Sequence, residues 1–255
     1  MIEKLIKFPI LKRLIPSFYK KYIFFKKDYF KEIIVNDIIF NLDLRHFIDR
    51  RFFFQKKYEE ELFNPILQIS KNHKIDYFFD VGSCWGLYSL RLSNMVKDLK
   101  IHAFDPIARN INRLNDSIKK NNIQNINVYH TAIGSVTGTI ELGATEDYSP
   151  NYKINEDKSV ISEKSKINFL DNLFSYKNKY LIFKIDTEGF EFEVLKGADK
   201  LLINNKCYCQ IEIIEENKAK IFSFLEERNY KLISINDKNK LDYIFSNFTF
   251  DKIKI

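Results

Sequence analysis

The sequence predicts an α/β fold in which a mostly parallel sheet carries helices on both faces. Two observations lead to this prediction. From about residue 75 onward, short apolar runs typical of buried strands recur along the chain, and segments with helical spacing of apolar residues separate them. This alternation is typical of parallel sheets, which bind ligands at the carboxyl ends of their strands. With 45% apolar and 29% charged residues, the chain is rich enough in apolar side chains to form one large globular domain.

The first 30 residues form a basic arm ahead of this domain. They hold eight basic and two acidic side chains, whereas the rest of the chain is nearly neutral with 33 basic and 32 acidic residues. Apolar residues recur at roughly helical spacing, and Pro9 and Pro16 divide the arm into short pieces. Two interpretations stay open. The arm, residues 1–25 in particular, contacts an anionic membrane or a partner, or it packs as a helix on its own domain.

Composition argues against several classes of protein. A nearly neutral main body lacks the spread-out positive surface of a nucleic-acid binder, so we expect no nucleic-acid partner. A membrane-spanning helix needs about 20 apolar residues in succession, and no apolar stretch of this sequence is nearly that long. Basic residues also interrupt the apolar residues near the start, which argues against a secretory signal peptide. Three cysteines in an odd, poorly spaced set favour a reduced compartment. We therefore expect a cytoplasmic protein, with peripheral membrane contact as an option.

The elements can be assigned in chain order. The β-branched run 32–40, interrupted by Asn36 and Asp37, predicts a hairpin. Residues 31–74 comprise this hairpin and a helix that leads into the core domain. The core domain is expected at residues 75–255. A helical pattern spans 107–118, and the tail from 217 predicts a helix and then an antiparallel strand pair. The polar segment 139–176 is longer than usual connections and is a candidate lid. Buried strands are predicted at 75–80, 101–104, 126–129, 180–185 and 208–213, and the antiparallel pair of the tail at 230–235 and 241–245.

Glycines mark the candidate site. Only seven occur, and four of them lie in two segments, residues 80–86 and 186–197. In the first segment a strand passes into a helix through a turn at Gly82 and Gly86, where a backbone without Cβ atoms can approach a ligand. Asp105 follows Gly82 by 23 positions, close to the spacing at which an acid reaches a nucleotide ribose. The alternatives are a purely structural turn and a helix N-cap at Asp105.

These features alone allow either a nicotinamide dinucleotide or S-adenosylmethionine, because both ligands contain adenosine. A dinucleotide site places a second glycine opposite the pyrophosphate, where this chain has Cys84 and Trp85. We expect these side chains to crowd a phosphate. S-adenosylmethionine has no phosphate, and Asp80 can face its ammonium group. A nicotinamide-dependent oxidoreductase is therefore the weaker alternative.

Three segments, D-V-G-S-C-W-G at 80–86, F-D-P at 104–106 and K-I-D-T-E-G-F-E-F-E-V-L-K-G-A at 184–198, resemble the motifs of FkbM-type S-adenosylmethionine-dependent methyltransferases. Two positions depart from the family pattern, Cys84 where Asn is common and Asp105 where Glu is common. The resemblance implies a Rossmann-like class I methyltransferase fold with a seven-stranded sheet. It also implies methyl transfer to a hydroxyl of a sugar, a glycan or a secondary metabolite. The expected cofactor-binding residues are Asp80, Gly82, Ser83, Cys84, Gly86, Asp105, Pro106, Thr131 and Ala132.

A hydroxyl acceptor must also lose a proton. The candidate bases follow predicted strands: Asp186 and Glu188 after the fourth, and Glu212 within the fifth, with Asp186 slightly favoured. His130 is expected on the cofactor side. Three alternatives stay open: Asp186 and Glu188 only cap the following helix, Glu212 pairs structurally with Lys184, or the three carboxylates hold a divalent metal. A catalytically silent relative that the basic arm recruits to a membrane is the contrary functional hypothesis.

Overall fold

The computed structural model describes residues 19, 21–23, 25–144, 153–154, 161–235 and 241–250. The described chain first forms the predicted hairpin, whose two strands are joined at Asn36 and Asp37. Both turn residues have positive φ, which short polar side chains tolerate best. The elements of this part are β1 (Phe30–Val35), β2 (Ile38–Asp43), α1 (Phe47–Gln55) and α2 (Glu60–Asn72).

Strands and helices then alternate as predicted, with a group of short strands inserted midway. The first part comprises β3 (Tyr77–Val81), α3 (Leu87–Met95), β4 (Lys100–Asp105), α4 (Ala108–Lys120) and β5 (Ile126–His130). The inserted group comprises β6 (Ala132–Ile133), β7 (Gly138–Ala144), β8 (Lys153–Ile154), β9 (Ile161–Asn168) and α5 (Leu170–Leu173). The chain then continues with β10 (Tyr180–Ile185), α6 (Glu191–Gly197), α7 (Asp199–Asn204), β11 (Lys206–Glu212), α8 (Glu215–Glu226), β12 (Lys231–Ile235) and β13 (Asp242–Ser246).

Seven strands form one mostly parallel sheet in the order β12-β13-β11-β10-β3-β4-β5. Strand β13 runs antiparallel to both of its neighbours, β11 and β12, which confirms the antiparallel pair predicted in the tail. The sheet is covered on both faces, because successive residues such as Phe78 and Phe79 belong to two different buried clusters. This seven-stranded, mostly parallel sheet with helices on both faces confirms the predicted fold class.

The polar segment 139–176 contains regular structure rather than only loop. Its described residues include β7, β8 and β9, which form a second sheet in the order β6-β9-β7-β8. Strands β7 and β9 are antiparallel, from Gly138 opposite Ile167 to Ala144 opposite Ile161. Glu163 of β9 accepts a hydrogen bond from the backbone N–H of Ala108 at 2.8 Å, which ties this sheet to the start of α4. The residues of the expected lid at 145–152 and 155–160 lie outside the described part of the chain.

The end of the basic arm packs on the domain. Ile23 is only 1% exposed and belongs to the core, and the ring of Tyr19 stacks on Phe53 with centroids 5.8 Å apart. These contacts agree with the packed-arm interpretation for this end, whereas residues 1–18 lie outside the described part, so membrane contact stays a prediction. Among the helices that the structure describes, none has the length and apolar character of a membrane span.

Polar contacts from α4 and the residue that follows it fix the hairpin and α1 to the domain. The amide of Asn121 accepts from the N–H of Ile39 and donates to its carbonyl, both at 2.8 Å, and so pairs with β2 as a neighbouring strand would. Arg113 donates to both carboxylate oxygens of the buried Asp49, at 2.8 and 3.0 Å. The hairpin and α1 are therefore integral parts of the domain.

We expect Asn121→Ala to lower the free energy of unfolding by about 1–3 kcal/mol, because two backbone groups of β2 lose their partner. Urea unfolding of the variant measures this change. Asn115→Ala serves as the control, since Asn115 lies exposed on the same helix. Equal losses in the two variants would show that the amide pairing with β2 contributes nothing specific.

Candidate functional site

A cleft opens at the carboxyl ends of β3, β4 and β10, the edge at which a doubly wound sheet binds its ligands. It has about 840 Å³ of unoccupied space, its open mouth included. Six of the expected cofactor-binding residues line it, together with the loop after β10 and apolar side chains from the inserted sheet. The expected residues are Gly82, Cys84, Asp105, Pro106, Thr131 and Ala132.

Gly82 is required for a reason that the sequence did not indicate. We expected the missing side chain to make room for a ligand. In the structure, a Cβ at Gly82 would lie 1.8 Å from the backbone carbonyl oxygen of Asp186, and φ is +79°. The first obstacle is therefore the chain itself, because the loops after β3 and β10 touch at this point. Gly82 serves the fold and the cleft together.

Cys84 and Trp85 point in different directions. Cys84 lines the cleft and adopts a left-handed backbone with φ +51°, a conformation that Asn tolerates better than Cys. Trp85 is buried and packs against Phe40 and Phe52. The expectation that Trp85 would crowd a dinucleotide phosphate is therefore wrong, because its ring packs in the core against Phe40 and Phe52.

Asp105 lines the cleft, but it is not the N-cap of α4 that the sequence suggested as an alternative, because Ile107 occupies that position. One carboxylate oxygen accepts from the N–H of Cys84 at 2.9 Å, and the other accepts from the N–H of Ile107 at 2.9 Å. Its side chain therefore braces the glycine turn and the start of α4 while it lines the cleft. Burial raises the pKa of Asp105 to about 7, although these hydrogen bonds oppose the rise. A carboxylate has further acceptor sites, so contact with a ribose remains compatible with these bonds.

Asn110 is a residue of the cleft that our sequence prediction did not include. Its side-chain nitrogen donates to Asp105 at 3.0 Å, but its buried amide oxygen has no partner among the residues that the structure describes. Asn110 is 3% exposed and lines the cleft. An unpartnered acceptor beside an acid fits the hydroxyl donors of a ribose, so the residues present fit the expected cofactor. The sequence signal was a polar residue on the buried face of α4, four positions before Leu114.

The remaining expected residues surround the cleft without lining it. Asp80 is buried and accepts from the hydroxyl of Ser89 at 2.6 Å, so it braces α3 from below rather than facing the cleft. Ser83 and Gly86 belong to the glycine turn but do not line the cleft either. A Cβ at Gly86 would lie 2.3 Å from Leu114. His130 is exposed at the rim, where its ring contacts the carbonyl oxygen of Pro106 at 3.0 Å.

The loop that carries Asp186 and Glu188 is held by other residues. Glu191 is buried and accepts from the N–H groups of Thr187 and Gly189 at 3.1 and 2.9 Å. Asn217 donates to the carbonyl oxygen of Gly189 at 2.7 Å. Helix α6 shows no side-chain cap at its N-terminus. The interpretation of Asp186 and Glu188 as helix caps is therefore wrong, and both line the cleft instead.

Lys184, Asp186 and Glu212 form one electrostatic unit. Lys184 donates to Asp186 at 3.1 Å, and Glu212 also hydrogen-bonds to Asp186. Burial and the charge of Asp186 raise the pKa of Glu212 to about 9, so its carboxyl group is protonated at neutral pH. Burial would raise the pKa of Asp186, but Lys184 and the hydrogen bond from Glu212 hold it below its usual value. The predicted pairing of Lys184 with Glu212 is wrong, because the ammonium pairs with Asp186.

This arrangement divides the roles of the three candidate carboxyl groups. Asp186 presents an ionised carboxylate to the cleft. Glu212 keeps its proton and donates a hydrogen bond to Asp186. Glu188 lies exposed at the mouth. In the described part of the chain, no group of three or more Asp, Glu, His or Cys side chains is arranged to hold a metal ion.

Comparisons with known proteins place the motifs in one family. Residues 80–232, more than half of the chain, match the family model described as the methyltransferase FkbM domain. No protein with curated function has a sequence that matches the chain.

Several solved structures are similar, at low sequence identity. A precorrin-6y C5,15-methyltransferase from Geobacter metallireducens is 14% identical with a TM-score of 0.42, over 72% of this chain and 85% of that one. A SAM-dependent methyltransferase from Aquifex aeolicus is 16% identical with a TM-score of 0.42, over 73% and 90%. A Streptococcus mutans protein in complex with SAH is 14% identical with a TM-score of 0.45, over 74% and 97%.

We expect Glu212→Gln to weaken the pH dependence of stability. The pKa of Glu212 rises from the usual 4.5 to about 9 on folding, so between these values the unfolded chain has lost a proton that the folded protein keeps. Folding therefore becomes less favourable as the pH rises through this range, and glutamine removes that contribution.

Urea unfolding at pH 5, 7 and 9 measures this effect, with Glu216→Gln on the exposed face of α8 as the control. A wild-type pH slope in Glu212→Gln would mean that Glu212 is ionised at neutral pH.

Proposed function

The chain belongs to the FkbM methyltransferase family and is an S-adenosylmethionine-dependent methyltransferase; we propose that it methylates a hydroxyl group of a sugar, a glycan or a secondary metabolite. The observation that carries this proposal is the ionised carboxylate of Asp186 at the lining of the cofactor cleft. A hydroxyl has to lose its proton during transfer, and a carboxylate within hydrogen-bond reach can accept it.

The cleft offers matching surfaces for the parts of the cofactor. Asp105 and Asn110 supply acceptors for ribose hydroxyls, and apolar side chains from β4, β6 and β7 supply the walls for an adenine ring. These apolar residues are Phe104, Ile133, Ile140 and Leu142. When bound, S-adenosylmethionine supplies a methyl group already activated on a sulfonium, so the protein mainly has to hold the acceptor oxygen in line with it.

Asp186 is the preferred proton acceptor among the candidates. It lines the cleft, it is ionised, and Lys184 and Glu212 fix its position through two side-chain contacts. Glu212 is protonated and so can only support Asp186 as a hydrogen-bond donor. Glu188 lines the mouth of the cleft and is the second candidate.

We expect Asn110→Ala to weaken binding of S-adenosylmethionine about fivefold to tenfold, because the ribose loses one neutral hydrogen-bond acceptor. Isothermal calorimetry of the purified variant measures the affinity. Asn112→Ala on the exposed face of the same helix is the matched control and should bind as the wild type does. Unchanged affinity in Asn110→Ala would remove this residue from the cofactor site.

We expect Asp186→Asn to lower the rate of methyl transfer by about 10² to 10⁴, with S-adenosylmethionine affinity within a factor of a few of wild type. The variant keeps the size of the side chain and loses the ability to take a proton. Single-turnover transfer to an acceptor found by screening hydroxylated compounds measures the rate.

Glu188→Gln is tested beside it on the same acceptor. A loss confined to Glu188→Gln would move the base to Glu188, and near-wild-type rates in both variants would show that positioning alone suffices.

A further inference from the structure

A second, smaller cavity adjoins the cofactor cleft. It lies at the carboxyl ends of β10 and β11, against the start of α2, and has about 320 Å³ of unoccupied space, its mouth included. Asp186 lines both this cavity and the cofactor cleft. A molecule held in the smaller cavity therefore lies next to Asp186, the residue that this cavity shares with the cofactor cleft.

The smaller cavity has more carboxyl groups than cations. Four carboxyl groups line it, those of Glu59, Asp186, Glu212 and Asp242, and Lys184 is the basic residue among its lining. Lys184 is paired with Asp186 at 3.1 Å. Burial raises the pKa values of both Glu59 and Glu212, and neighbouring carboxylates add to the rise. These groups lie where a further positive charge would favour their ionised forms.

Gln210 points to a ligand independently of the carboxyl groups. It lies on β11, is 2% exposed and lines the smaller cavity. Its amide oxygen is buried and has no hydrogen-bond partner in the described part of the chain. An unpaired buried acceptor costs about 1–3 kcal/mol, so a donor from a bound molecule would remove a real penalty. The cavity thus combines several carboxyl groups with one buried acceptor that lacks a donor.

We propose that the smaller cavity binds an ammonium group of the acceptor, and that the methylated hydroxyl lies on a neighbouring carbon, as in an amino sugar. This inference rests on the proposed function. An ammonium group carries three donors and one positive charge, which matches both the surplus of carboxyl groups and the unpaired oxygen of Gln210. The hydroxyl beside it then lies at Asp186, between the two cavities.

The reaction balances without any further reagent. The hydroxyl oxygen forms a bond to the methyl carbon, the carbon–sulfur bond breaks with its electron pair left on sulfur, and the hydroxyl proton passes to Asp186. The ammonium group keeps all its protons and serves only to position the acceptor. Neutral polyols lack its charge and should bind more weakly.

The test compares two probes that share one ring, D-glucosamine and D-glucose, at pH 7 with the cofactor cleft saturated by S-adenosylhomocysteine so that no turnover occurs. We expect glucosamine to bind at least tenfold more tightly than glucose, as measured by calorimetry or NMR titration. Glu59→Gln should reduce this preference about fivefold or more, because it removes one carboxylate while an amide oxygen can still accept from Tyr88, whose hydroxyl lies 3.1 Å from Glu59.

Glu61→Gln, on the exposed side of α2, is the matched control and should keep the preference. Gln210→Met, which removes the unpaired oxygen at similar volume, provides a second variant if Glu59→Gln fails to fold, and it should also reduce the affinity for glucosamine. Equal affinities for the two sugars, or a full preference in the folded variants, would overturn the inference.

Binding of S-adenosylhomocysteine distinguishes a failure of the ammonium subsite from a failure of the proposed function. If it binds, and a neutral hydroxylated compound is methylated with no preference for amines, then only the ammonium subsite is wrong. If it does not bind to the wild-type protein, both the proposed function and this inference are overturned.

Discussion

The contact between the loops after β3 and β10 is the constraint on which the site depends. The carbonyl oxygen of Asp186 occupies the place of a side chain at Gly82, and the N–H of Asp186 donates to the carbonyl of Val81 at 3.0 Å. The N–H of Gly82 in turn donates to Phe104 at the end of β4 at 3.0 Å. One glycine thus allows the turn of the cofactor cleft and the loop of the proposed base to meet, and any side chain there would separate the two.

The electrostatics around Lys184 follow from the same edge of the sheet. Lys184 and Asp80 are neighbours across β10 and β3, so one buried cation lies among the carboxyl groups of Asp80, Asp186 and Glu59. Burial disfavours the charge of Lys184, but these carboxylates outweigh it and raise its pKa. The single ammonium of Lys184 cannot neutralise every carboxylate nearby. Glu212 keeps its proton and so lowers the net negative charge of the group.

Local patterns in the sequence were sufficient to predict the strands of the seven-stranded sheet, the hairpin at Asn36 and the glycine turn, because apolar periodicity and turn residues act over a few neighbours. They did not predict the second sheet, whose strands lie in a polar segment. Contacts between residues far apart in the sequence were harder to predict. The pairing of Asn121 with Ile39 joins residues 82 positions apart. Lys184 pairs with Asp186 rather than with Glu212, and this depends on side-chain directions that apolar periodicity does not predict. Asn110 was missed for a related reason, since only the assembled cleft shows that its oxygen lacks a partner.

The hairpin of β7 and β9 has a consequence for how this enzyme could diversify. Its paired residues run up to Ala144 and Ile161, and Glu163 fastens it to α4, so the wall of the cleft is set at the base of the hairpin. Changes of chain length between those two positions that keep the pairing of β8 with β7 leave this register unaltered. Loop closure adds only about 0.6 kcal/mol for each doubling of length. Insertions there are an evolutionary route, and an engineering one, to new acceptors at little loss of stability.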